Sequence, residues 1–74
     1  MDQQKIGSFL KQLRQERQLT QENLAEIMCV TNRSVSRWEN GVNLPDLPTL
    51  IQLADFYGIT LDELVGRDVK QKNG

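Results

Sequence analysis

The sequence predicts an all-α domain made of short helices in series, and three observations carry that prediction. Apolar residues recur at helical spacing, as Ile6, Phe9, Leu10 and Leu13 do at i, i+3, i+4 and i+7. Gly41, Gly58 and Gly66 stand just past such segments and Pro48 just inside one, the places where helices stop and start. No stretch shows the apolar–polar alternation of a half-buried strand.

The first helix is expected at about residues 3–17, with Lys5, Lys11, Gln12, Gln15 and Glu16 on its solvent side. Thr20 is a good N-cap for a second helix over residues 21–28, because its hydroxyl can accept a free first-turn N–H. Leu24, Ala25, Ile27 and Met28 are its apolar positions. The capping box reads as incomplete, since Asn23, and not Glu or Gln, stands three residues after the cap. Glu22 still complements the positive end of that helix. Cys29 and Val30 make a very short link, with Cys29 read as a small apolar filler at the turn.

Thr31 caps a third helix, at about residues 31–40. Val35 and Trp38 share its inner face, whereas Asn32, Arg33, Ser36 and Arg37 lie away from it. Gly41 supplies a left-handed stop. A loop over residues 42–45 leads to Asp46, the cap of a fourth helix. Its expected stripe is Leu47, Leu50, Ile51, Ala54 and Tyr57, widened by Leu53 and Phe56. Gly58 ends it. Thr60 and Glu63 form a full capping box for a last short helix holding Leu61, Leu64 and Val65. Helices this short are marginal alone, so the fold must come from packing their stripes together. One domain is expected over residues 1–66, and the polar residues 67–74 are expected to be a frayed tail or the start of a linker.

Composition narrows the function. Seventy-four residues make one small domain, and chains of this size bury only ~60% of their unfolded surface. The chain has no His, the commonest general base and the commonest metal ligand. Its single Cys excludes an internal disulfide and a thiolate metal site. No apolar run approaches the ~20 residues of a membrane span, and no signal-peptide pattern opens the sequence. These features argue against a metalloenzyme, a serine–histidine hydrolase, a disulfide-stapled module and a membrane protein. They set the expectation of a cytoplasmic, non-enzymatic protein without metal or cofactor.

The informative stretch is TQENLAEIMCVTNRSVSRWENG, residues 20–41. Two helices of about two turns, joined by a link too short for antiparallel packing, must cross steeply as a helix-turn-helix. The second helix of such a pair can enter a DNA major groove while the first crosses the backbone. The chain resembles the lambda-repressor-like, or Cro/C1-type (Xre), helix-turn-helix family. The resemblance rests on Thr20-Gln21-Glu22 with Leu24-Ala25, then Val30-Thr31, then Val35-Ser36-Arg37-Trp38-Glu39-Asn40-Gly41. Downstream, Pro45 to Leu53, Ala54 and Leu61-Asp62-Glu63-Leu64 resemble the family's fourth and fifth helices, so the likeness covers roughly residues 5–66.

That resemblance implies a compact five-helix domain and a set of roles. Gln21 corresponds to a phosphate contact, aided by the backbone N–H groups of its helix start. Asn32 and Arg33 correspond to early base-reading positions and Arg37 to a later one, with Ser36 beside it. Thr31 and Asn40 resemble phosphate or groove-edge contacts. Arg can give paired hydrogen bonds to guanine and Asn to adenine. The resemblance also implies a bridge between Arg14 and Glu39 that ties the recognition helix to the scaffold.

Plainer readings stand beside these. Arg33 and Arg37 can be ordinary solvated side chains, Gln21 a neutral first-turn residue, Asn32 a helix starter and Thr31 only a cap. Trp38 falls with Val35 on the inner face, which makes it core before it makes it a stacking platform. The net charge of −1 argues against DNA, but residues 1–41 carry +1 and residues 42–74 carry −2. Weak non-specific binding by a lone domain is therefore expected, with useful affinity from two domains on one duplex. A homodimer on an inverted repeat is the expected arrangement. Phe56, Tyr57, Ile59, Leu61, Leu64 and Val65 are either its self-complementary patch or all core. The expected function is sequence-specific binding of double-stranded DNA by a bacterial or phage regulator, most often a repressor in this family. The alternatives are an antitoxin that binds a toxin and its own operator, and an interaction module that has lost DNA binding. A C-terminal effector domain would fit after residue 67.

Overall fold

Five helices form where the caps and apolar spacing place them. They are α1 (Gln3–Glu16), α2 (Gln21–Met28), α3 (Asn32–Glu39), α4 (Leu47–Tyr57) and α5 (Leu61–Leu64). This computed structural model describes residues 2–66, so the tail expected over 67–74 lies outside the described residues.

Each helix starts on a side-chain acceptor. Asp2 accepts from the N–H groups of Gln4 and Lys5 at 3.0 and 3.2 Å, a cap that sequence reasoning missed. Thr31 Oγ1 accepts from Ser34 N at 3.1 Å, and Thr60 Oγ1 from Glu63 N at 3.0 Å. The Thr49 hydroxyl and N–H hold the Asp46 carboxyl below the usual carboxylate range. The capping box of α2 is complete, contrary to expectation. Thr20 Oγ1 accepts from Asn23 N, and Asn23 Oδ1 accepts from Thr20 N, both at 3.0 Å. A shorter amide still has the acceptor oxygen the box needs.

Four helix ends share one geometry. A left-handed residue (Gln18, Cys29, Gly41 or Gly58) closes α1, α2, α3 and α4. The next N–H then reaches back five residues: Leu19 to Arg14, Val30 to Ala25, Val42 to Arg37 and Ile59 to Ala54, at 2.9–3.1 Å. Cys29 therefore stands at the turn, as expected, with φ 59°, but it is exposed and fills no apolar space there.

The core draws on every helix. Ile6 and Leu10, Leu24 and Met28, Val35 and Trp38, Leu50 and Leu53, Tyr57 and Leu64 form one buried cluster. Helix α3 lies against both α1 and α2, and α5 closes on α4 and α1. Trp38 is core, as its spacing implies. Three expected core residues are exposed instead: Ile27 at 47%, Leu47 at 58% and Ile51 at 45%. Helix α4 is apolar at seven of its eleven positions, so its stripe is ambiguous in sequence. Packing selects Leu50, Leu53, Ala54 and Tyr57, at i, i+3, i+4 and i+7. Of the six residues weighed as dimer patch or core, Tyr57 and Leu64 are buried, and Phe56, Ile59, Leu61 and Val65 are half-buried against the core. Among the described residues no helix is long and apolar enough to cross a membrane.

Candidate nucleic-acid interface

The residues of α3 divide cleanly between two faces. Val35, Trp38 and Glu39 are buried, whereas Asn32, Arg33, Arg37 and Asn40 are exposed and Ser36 is half-buried. Arg33 and Arg37 stand one turn apart on the outer face. Gln21, Thr31, Asn32, Arg33 and Ser36 line one open notch of about 710 Å³ between the start of α2 and α3. Arg37 and Asn40 lie further along α3, outside its lining. Asn40 Nδ2 donates to Ser36 Oγ at 3.3 Å, and Thr31 Oγ1 shares a 3.0 Å hydrogen bond with Ser34 Oγ. Thr31 is thus a cap by observation and remains exposed to solvent.

A neighbouring, smaller notch of about 360 Å³ is lined by Glu22, Asn23, Ala25, Glu26, Val30 and Asn32. Two carboxylates therefore flank the outward-facing asparagine. Among the described residues no cluster of His, Cys, Asp or Glu could hold a metal ion.

Behind the outer face sits the expected pair. Arg14 Nε donates to Glu39 Oε2 at 2.7 Å, and Arg14 Nη2 to Glu39 Oε1 at 2.9 Å. This is a two-pronged bridge between side chains only 10% and 2% exposed. Its hydrogen bond to Glu39 raises the Arg14 pKa above its ordinary value, against the opposing pull of burial. Arg14 Nη1 also donates to the Leu19 carbonyl at 2.8 Å, and Gln21 Nε2 to Glu39 Oε1 at 3.0 Å. The buried Arg14–Glu39 pair thereby links α1, the α1–α2 turn, α2 and α3.

Two further residues tie α1 and the turn after it to other helices, and sequence reasoning missed both. Gly7 lies inside α1, where a Cβ would overlap the Trp38 carbonyl oxygen and come within 2.9 Å of the Glu39 carbonyl oxygen. The backbones of α1 and the end of α3 are in direct contact there. Arg17 donates from Nη2 to the Tyr57 carbonyl at 3.0 Å and from Nη1 to the Phe56 carbonyl at 3.4 Å, capping α4 across the fold. Its guanidinium lies 5.5 Å from the centroids of both rings. A glycine within a helical pattern was the available signal for the first; nothing local signals the second.

A short helix, a tight left-handed turn and a second helix with a polar outer face define a helix-turn-helix module. The helix-turn-helix family model matches residues 10–64, and the chain belongs to the Cro/C1-type (Xre) helix-turn-helix family of DNA-binding transcription regulators. Over 69 residues it is 36% identical to the HTH-type transcriptional regulator ImmR of Bacillus subtilis, covering 92% of this chain and 54% of that protein. Over 60 residues it is 40% identical to the cryptic phage CTXphi transcriptional repressor RstR of Vibrio cholerae, covering 81% of this chain and 54% of that one. Over 56 residues it is 41% identical to the HTH-type transcriptional activator BcrR of Enterococcus faecalis, covering 76% of this chain and 28% of that one. The chain thus spans between about a quarter and about half the length of these relatives.

Proposed function

We propose that this chain is the sequence-reading domain of a bacterial or phage transcriptional regulator acting in the cytoplasm, with α3 laid in the major groove of double-stranded DNA. The observation that carries this reading is the division of α3 into a buried face and an outer face bearing Asn32, Arg33 and Arg37. Each of those side chains can give two hydrogen bonds to one base edge, Arg to guanine and Asn to adenine. Gln21, Thr31 and Asn40 take the phosphate or groove-edge contacts, and Ser36 stands at the groove edge beside the arginines. Both a repressor and an activator stand among the relatives. The domain therefore supplies the address on DNA, and the sign of regulation comes from where it sits or from what it is joined to.

Two copies act together in this reading. A monomer of net charge −1, with Glu22 and Glu26 beside its reading face, attracts phosphate weakly. Two half-sites about one helical turn, ~34 Å, apart restore the affinity. The test is selection of binding sites from a random duplex library, followed by sequencing. Enrichment of an inverted repeat with guanines facing the two arginines is the expected result. Arg37→Ala should then relax the preference at one position per half-site by about 1–3 kcal/mol. No enrichment at low salt would overturn the reading for this domain.

A further inference from the structure

The bridge to Arg14 uses only part of what Glu39 does. Glu39 Oε2 takes the Arg14 Nε–H, while Oε1 takes both Arg14 Nη2 and Gln21 Nε2, the latter at 3.0 Å. Arg14 is already held by both oxygens, so its pairing does not require the bond to Gln21. That bond runs from the last residue of α3 to the first residue of α2. Its two ends differ in access. The Glu39 side chain is 2% exposed and out of reach of any nucleic acid, whereas Gln21 is half-buried and lines the notch shared with Thr31, Asn32, Arg33 and Ser36.

Resting on the DNA-binding reading, we propose that Glu39 is a positioning residue for phosphate recognition, acting through the side-chain amide of Gln21. A free glutamine amide has two orientations related by a flip, one offering NH2 and the other a carbonyl oxygen. A phosphate oxygen accepts hydrogen bonds and cannot donate them, so it binds the NH2 end alone. The Glu39 carboxylate, with both oxygens taking N–H groups of Arg14, likewise accepts and does not donate, so it has the same requirement. Glu39 therefore excludes the orientation that would set the amide oxygen against it. Among the described residues this is the one side-chain hydrogen bond of Gln21. One N–H goes to Glu39 and the second is left for the incoming phosphate. Ordering the side chain before DNA arrives also removes a conformational cost from the binding step. The carboxylate brings no net repulsion, because the arginine fork cancels its charge.

The experiment uses the full chain and has two arms. In nitrogen-15 spectra of the free protein, the Gln21 side-chain NH2 should be displaced from the random-coil amide region and slow to exchange with water. Both signatures should vanish in Glu39→Gln. In the second arm, affinity for the selected duplex is measured for Gln21→Ala, Gln21→Asn, Glu39→Gln and the Gln21→Ala/Glu39→Gln pair. Asn keeps the amide but is one methylene short of Glu39. Each single variant should lose roughly tenfold, the size of one hydrogen bond to a charged group, and the pair should lose no more than either alone. Multiplicative losses, an unchanged amide signal in Glu39→Gln, or a Gln21→Asn protein that binds like wild type would each overturn the proposal. Gln21→Asn does not touch the buried bridge, so the proposal stays testable even if Glu39→Gln fails to fold. If the wild-type chain selects no duplex, the DNA-binding reading falls and this one with it. If it binds with Gln21 and Glu39 uncoupled, this one falls alone.

Discussion

Glu39 and Arg14 are each tolerable in the core only because of the other. Removing either strands a buried charge, so Arg14→Ala or Glu39→Ala should cost about 3–5 kcal/mol of stability. The double replacement should cost less than the two singles together, and urea denaturation of the three variants checks it. Tyr57 presents the opposite case. Its ring is buried, but among the described residues its hydroxyl has no hydrogen-bond partner, and burial pushes its pKa up to about 12. A folded-state pKa above the ordinary 10.0 means that the neutral form favours folding. That stability is complete below pH 10 and is lost as pH rises towards 12. Tyr57→Phe should be at least as stable as wild type at neutral pH, since it buries no unpaired hydroxyl. Its stability should also fall less between pH 10 and 12. Thermal unfolding across that range would show whether it does.

The helices differ mainly in how they end. Gln18 and Cys29 occupy left-handed positions that Gly41 and Gly58 fill elsewhere in the chain. The left-handed state costs a residue with a Cβ about 1–2 kcal/mol, against about 0.5–1 kcal/mol of extra chain entropy for glycine. Cys29→Gly should therefore stabilise the domain by about 0.5–1 kcal/mol in a denaturant titration and leave the fold unchanged. Inside α1 the sign reverses. Helix propensity alone would make Gly7→Ala favourable by about 1 kcal/mol. The Cβ, however, meets the carbonyl oxygens of Trp38 and Glu39, which are backbone and cannot swing aside. Gly7→Ala should instead destabilise the fold by about 1–3 kcal/mol. It should also weaken DNA binding, because α1 and the end of α3 must separate. A variant more stable than wild type would show that the contact relaxes without cost.

Across the whole molecule, shape and charge point in different directions. The fold presents a helix with a polar outer face, yet the chain is slightly acidic and places Glu22 and Glu26 next to Asn32. On the proposed DNA-binding role, those carboxylates should repel random DNA and leave specific contacts to supply the affinity. Replacing both with Gln should raise low-salt affinity for non-specific duplex several-fold, and the gain should shrink as salt is added. Equal affinity at low salt would mean that the two side chains lie outside the field felt by the phosphates. The exposed Leu47 and Ile51 leave an apolar strip along α4 that the core does not use.

Local chemistry by itself determined the number, order and approximate ends of the helices. Caps such as Thr20, Thr31 and Thr60 act on groups within a few residues, and the i, i+3, i+4 spacing of Ile6 and Leu10 fixes a face regardless of what covers it. The resemblance to the family marked the module over residues 20–41 and implied the Arg14–Glu39 pair, whose members lie 25 positions apart. Tertiary structure decided what depends on distance across the fold. It chose which flank of the largely apolar α4 is buried and exposed Ile27. It set Gly7 against a carbonyl of α3 and sent Arg17 to the end of α4. It also gave Glu39 a third donor in Gln21. These outcomes turn on angstrom-scale separations between residues 18 to 40 positions apart, which periodicity along one helix does not encode.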